Sequence, residues 1–475
     1  MLGGAQEPFG SDQPAEHGIF VNRTLNLRSV SAFGYDMDYT LIHYDVNEWE
    51  RGAFDHAKAY LSDMSWPVES LEFDPTRFTL GLTFDLELGN LVKATRFGYV
   101  VRAQHGILPM SFESQRLMYA ETVIDLSLER FEFMNTMFEL SRADLWTQLV
   151  EIHDASPLPG ILTYADLYRA IDGALAASHL EGAVKAEITA SPERFVDLDP
   201  HIISTLRDQR AAGKKLLLIT NSGWDYTKQM MAYAFDRYCE SGETWRDLFD
   251  LVIVSAAKPR FFSERSQIYR IVDEDQSLMI PHIGPLEVGH VYFGGNARIV
   301  EESLGLASAQ LLYVGDHLFG DVHVTKDVLR WRTALIAREI EAEVLASIEA
   351  EGALSTLQSL MEEKVSLDRQ QAQFRMARQR DRSRGRELSA RLDEVKAAAV
   401  ALDEQIVPLA RAASELGHPD WGPLMRGGND KSLFARQVEK YADIYTSRAS
   451  NLRYETPYGY LRAARGSLPH DSAGR

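Results

Sequence analysis

The chain has 475 residues, 45% of them apolar, and carries a net charge of -19 from 50 basic and 69 acidic side chains. That length exceeds the roughly 250 to 300 residues of a single compact core, so two or three lobes or one heavily decorated domain is expected. The acidic balance speaks against a general nucleic-acid or membrane surface, no stretch approaches the ~20 apolar residues of a membrane span, and the one cysteine, Cys239, has no partner for an internal disulfide. The polar start MLGGAQEPFGSDQPAEHG has neither the basic nor the apolar region of a secretory leader. A reducing, cytoplasmic setting is expected.

In chain order, residues 1–29 read as an N-terminal arm, and the apolar run 30–35 predicts a first buried strand. Similar runs follow at 215–220, 251–255, 311–315 and 333–337, separated by helical patterns such as 200–211 and 224–238. Short apolar runs alternating with helices predict an α/β core around a Rossmann-like parallel sheet. About 180 residues separate the first run from the second, far more than a connecting loop needs, so a large insert is expected. The core then takes 30–45 and 195–340, and the insert, 46–194, forms a cap with a strand-rich patch at 77–106 and a helical stretch at 120–182. A charged, heptad-like segment over 341–412, broken by Gly352 and Gly385, predicts an antiparallel helical hairpin. The final segment, 413–475, is rich in Tyr and Arg and is expected to pack back on the body.

Polar groups follow each run: Asp36 and Asp38, then Thr220 and Asn221, then Lys258, then Asp316 and Asp321. In open α/β sheets ligands bind beyond the carboxyl ends of the strands, so these groups are expected to meet there. The chemistry that suits them is phosphoryl transfer. A carboxylate attacks phosphorus to give an aspartyl-phosphate, and a second acid two residues on supplies the leaving alkoxide's proton and later activates water. Two nearby carboxylates also call for a cation, and Mg²⁺ prefers carboxylates together with phosphate oxygens and water.

The pattern Asp36-Met37-Asp38-Tyr39-Thr40, the run LLLITNS with Thr220, Lys258 in VSAAKPRFF, and LLYVGDHLFGD resemble the four motifs of the haloacid dehalogenase-like phosphatases. More closely, FGYDMDYTL, GNLVKATRFGYVVRAQHG, ITNSGWDYT, YVGDHLFGDV and FARQVEKYADIYTSRASNL are similar to stretches of the cytosolic purine 5'-nucleotidases that prefer IMP and GMP, from about residue 30 to about 465. The resemblance implies Asp36 as nucleophile and Asp38 as general acid/base. It implies Mg²⁺ held by Asp36, the Asp38 carbonyl and Asp316, phosphoryl binding by Thr220 and Asn221, charge neutralisation by Lys258, and a supporting role for Asp321. It further implies a nucleoside monophosphate substrate hydrolysed to nucleoside and phosphate. The family's base-gripping helix matches YADLYRAIDGAL only in part: Asp172 is kept and Arg169 is shifted by one place, so both are candidates for substrate binding.

Two other features are read as structural. His105 is expected to make a structural contact, and the basic stretch 374–391 is expected to be a solvated helix or a self-association surface. A homo-oligomer is therefore expected, with no membrane or nucleic-acid partner. The competing readings are a phosphatase or phosphotransferase acting on another phosphomonoester, and an inactive nucleotide-sensing or scaffold protein.

Overall fold

A computed structural model describes residues 13–180 and 182–466. The first part of the N-terminal arm, with most of the stretch read for a leader, and positions 467–475 lie outside the described residues.

Ten strands form the central sheet: β1 (Ile19–Val21), β2 (Ala32–Tyr35), β3 (Lys215–Ile219), β4 (Leu251–Val254), β5 (Ile268–Asp273), β6 (Leu278–Pro281), β7 (Val291–Gly294), β8 (Leu311–Gly315), β9 (Arg332–Ile336) and β10 (Ile444–Thr446). Their order is β1-β10-β9-β8-β2-β3-β4-β7-β5-β6, parallel from β10 through β7 and antiparallel at both margins. The five strands expected from apolar runs are all present, and β2 and β4 are buried along their whole length, as strands covered on both faces must be. From β2 the chain steps outward one way through β3, β4 and β7, and the other way through β8, β9 and β10. The crevice beyond the ends of β2 and β8 is thus the topological switch point.

Two parallel strands escaped the sequence reading. β7 lies between His290 and Gly294-Gly295, a short run in turn-forming company, and β10 belongs to the final segment, so the tail adds a strand to the sheet itself.

The insert folds as a separate antiparallel sheet backed by helices. Thr83–Asp85, Asn90–Ala94, Val100–His105, Leu108–Pro109 and Phe131–Phe133 make that sheet. Its longest helices are α1 (Val46–Asp63), α2 (Leu140–Ala155) and α3 (Tyr164–Leu180). The helical stretch expected from residue 120 begins in earnest only at Leu140, because Phe131 and Phe133 bury alternate side chains in the second sheet.

Beyond β9, α4 (Ile340–Glu349) leads into the hairpin of α5 (Glu351–Arg380) and α6 (Gly385–Ser414), tied across by Lys364 to Asp403 at 2.6 Å. Gly352 does not break it and sits in the first turn of α5, while Gly385 opens the return helix.

Candidate active site

Strand β2 ends at Tyr35, and the chain turns at once. The Met37 carbonyl accepts hydrogen bonds from the amides of Thr40, Leu41 and Ile42, and Tyr39 adopts a left-handed φ of 58°. A non-glycine residue held there marks a loop that its surroundings force into shape. Asp36 and Asp38 therefore share a face through this turn, where a continuing strand would also have placed them side by side. Both line a cavity of about 480 Å³ together with Thr220, Asn221, Lys258, Asp316 and Asp321.

Lys258 joins these groups. Its Nζ lies 2.7 Å from Asp36, 2.8 Å from Asp321 and 3.0 Å from the Tyr313 hydroxyl, and only 3% of its side chain is exposed. Two glycines make room for this arrangement. A Cβ at Gly34 would stand 2.9 Å from the Tyr313 ring, and one at Gly315 would stand 2.5 Å from an Asp321 carboxylate oxygen. Burial alone would lower the lysine's pKa, but Asp321 and Asp36 outweigh it and hold the ammonium charged. Burial pushes Asp36 up to about 7 against the pull of Lys258. Asp316 is raised well above the usual range by burial, then by its neighbours Asp321 and Asp36.

Asp38 sits in a different environment. The Ser222 hydroxyl donates to one oxygen at 2.5 Å and the Tyr44 hydroxyl to the other at 2.6 Å. Behind them, Lys185 donates to Ser222 at 2.7 Å and Tyr226 to Tyr44 at 3.1 Å. Hydroxyls both donate and accept, so the clamp serves Asp38 with or without a proton.

Asn221 has its side chain committed. Its Oδ1 accepts from the Lys258 amide at 2.6 Å and its Nδ2 donates to the Lys258 carbonyl at 3.1 Å, which fixes one loop to the other. The Thr220 Oγ1 accepts from the Ser222 amide at 3.1 Å.

Arg169 and Asp172 do not line the cavity. Arg169, with 74% of its side chain exposed, pairs with Asp166, and the cation beside Asp172 is Arg142, at 2.7 Å. His105 is held between Asn90 and Asp154, each at 2.7 Å, away from the cavity lining. The residues that sequence reasoning missed are Lys185, Trp49 and Phe138 from the insert, and Ser222, which lies within the quoted TNS motif. No sequence signal marks Lys185. It reaches Ser222 from 37 residues away.

Carboxylate oxygens of Asp36, Asp316 and Asp321 lie within 4.8 Å of one another. Four carboxylates line the cavity against two ammonium groups, Lys185 and Lys258. An all-oxygen, electron-rich cluster with that deficit of positive charge suits a hard divalent cation.

A family model described as the 5' nucleotidase family matches residues 19–473. A 5'-nucleotidase domain-containing protein of Dictyostelium discoideum is 25% identical over 464 residues, covering 95% of this chain and 74% of that one. Among solved structures, CbbY from Rhodobacter sphaeroides in complex with phosphate matches 65% of this chain and 86% of its own at 15% identity and a TM-score of 0.25. L-2-haloacid dehalogenase from Xanthobacter autotrophicus matches 65% and 78% at 14% identity and a TM-score of 0.22.

Proposed function

From its membership of the 5'-nucleotidase family, which the match over residues 19–473 establishes, we propose that this chain is a Mg²⁺-dependent phosphoric monoester hydrolase. It releases phosphate from nucleoside 5'-monophosphates, with purine nucleotides of the IMP and GMP kind as its preferred substrates and the cytoplasm as its place of work. The observation that carries the reading is the buried Lys258 ammonium held between Asp36 and Asp321, across one cavity from an Asp38 gripped by two hydroxyls.

In the first step an Asp36 oxygen attacks phosphorus as the bond to the ester oxygen breaks, and Asp38 gives that oxygen its proton. Lys258, its side chain only 3% exposed, neutralises the nucleophile and the transferring group from a buried position, where a fixed charge acts strongly. In the second step Asp38 takes a proton from water, the water oxygen attacks phosphorus, and the Asp36–phosphorus bond breaks to release phosphate. Asp36 and Asp316, whose carboxylates lie close together, would hold Mg²⁺ with the Asp38 carbonyl, and Asp321, paired with Lys258, would stand beside them. When bound, the ion would supply positive charge to the phosphoryl oxygens.

The test is phosphate release from IMP, GMP, AMP, UMP and sugar phosphates in Mg²⁺. Turnover of nucleotides well above sugar phosphates is expected. Preference for a sugar phosphate would move the protein to another phosphomonoester.

A further inference from the structure

The tip of the α5–α6 hairpin carries a charge opposite to that of the rest of the chain. Residues 374–391 hold seven arginines and no lysine, against Asp381 and Glu387, a net +5 on a chain of -19, so everything else sums to -24. Arg375, Arg380, Arg382 and Arg386 are exposed and have no ion pair among the described residues. Arg384 and Arg391 share Glu387, and Asp381 is occupied in capping Ser383.

The shaft of the same hairpin has the reverse sign. Residues 351–373 and 392–414 together hold eight acids and four bases, a net -4. Of these acids, Glu362, Glu363, Asp368, Glu394 and Glu404 are exposed and have no ion pair among the described residues. Four apolar side chains of the shaft are exposed between them: Met361, Val365, Val400 and Val407.

We infer that the hairpin is a self-association element, in which the arginine tip of one copy lies on the acidic shaft of a second, antiparallel copy, and the reverse. A two-fold axis near residue 372 sets 382 opposite 362, so each contact is made twice and the assembly closes as a dimer. The overlap of about 20 residues spans about 30 Å, and two helices abreast are about 20 Å wide, giving roughly 600 Å² per partner. That is the lower end of stable interfaces, about 1,200 Å² in total, and fits an association that depends on charge. Arginine is suited to it because its planar fork pairs with carboxylates two bonds at a time.

The tip's surroundings favour this partner over two others. Single-stranded nucleic acid is held by stacked aromatic rings as well as charge, and the one ring at the tip, Phe374, is half-buried. An anionic membrane would meet the acidic shaft and body as well as the tip.

Sedimentation of the full-length protein at about 0.05 M and about 1 M NaCl, where the screening length falls to about 3 Å, tests the inference. A dimer at low salt whose dissociation constant rises at least about tenfold at high salt is expected. The variant R375E/R380E/R382E/R386E should be monomeric at low salt, and so should E362K/E363K/D368K/E394K. Mixing the two should restore a dimer, since each then offers the charge the other needs. A wild-type monomer at both salts, or a dimer unmoved by both sets of reversals, would overturn the inference. So would a mixture that stays monomeric, or tip-dependent binding to single-stranded RNA or phosphatidylserine vesicles with no dimer.

Discussion

Lys258 is the buried cation on which two carboxylates depend, and its loss would leave Asp36 and Asp321 facing each other's charge. Asp36→Asn should reduce phosphate release to less than a few per cent of wild type, because an amide does not form the aspartyl-phosphate; steady-state assays with a saturating nucleotide will show it. Asp316→Ala should differ in kind, raising the Mg²⁺ concentration for half-maximal rate as well as lowering the rate, if its carboxylate is one of the proposed ligands of the ion. Asp38→Asn should cost about 10² to 10⁴ in rate with a nucleotide. With p-nitrophenyl phosphate, whose leaving group needs no proton, the first step should be slowed less, leaving a measurable burst of p-nitrophenol ahead of slow hydrolysis. Equal slowing of that step with both substrates would remove Asp38 from the acid's role.

At the scale of elements, the insert positions groups for the site and carries a pH-sensitive joint of its own. Glu50, on α1, is wholly buried and accepts from the Ser141 amide at 2.8 Å and its hydroxyl at 2.7 Å, at the start of α2. Its second oxygen has no hydrogen-bond partner among the described residues, and burial pushes its pKa from 4.5 to about 7. A carboxyl raised on folding favours the folded state below pH 4.5 and loses that contribution as pH rises through 7. At 1.36 kcal/mol per unit the loss is about 3 kcal/mol. The melting temperature of Glu50→Gln should therefore gain on wild type between pH 5 and pH 8, as differential scanning fluorimetry at both values will show, and a constant gap would refute it.

The same scale explains what could be read in advance. Asp36, Thr220, Lys258 and Asp316 were legible because each follows a short apolar run, and the sheet's geometry brings the ends of such runs together. Lys185 and the Tyr44–Tyr226 clamp were not, since their partners are 37 and 182 residues away and no local pattern encodes the meeting. The pairing of Asp172 with Arg142 rather than the nearby Arg169 has the same origin: the choice between two cations was made by packing of α2 on α3. β10 was hidden because it is only three residues long, Ile444-Tyr445-Thr446, and lies in the final segment, far along the chain from the strands it joins.

Across the whole molecule, one margin of the sheet is built by β1 of the N-terminal arm and β10 of the final segment, and Asp443 is the point where they meet. Its carboxylate is fully buried and lies 2.9 Å from Arg23 of the arm and 2.6 Å from Lys326 of the core, and it also accepts from the Thr333 amide of β9 at 3.0 Å. Immediately after it, β10 pairs with β9 on one side and with β1 on the other. Arm, core and tail are thus fastened through one side chain. Replacing it with an apolar residue would leave Lys326 largely buried without its counter-charge, and removing one member of such a pair typically costs about 3 to 5 kcal/mol. Asp443→Ala should shift the urea midpoint by an amount equivalent to that cost. Because the loss falls on the seam rather than on the loop that carries Asp36 and Asp38, protein that remains folded should keep its phosphatase turnover, while limited proteolysis should cut first in the arm near Arg23 or the tail near Ile444. Proteolysis that begins instead in the insert, or a midpoint within experimental error of wild type, would show that the two ends are held without Asp443.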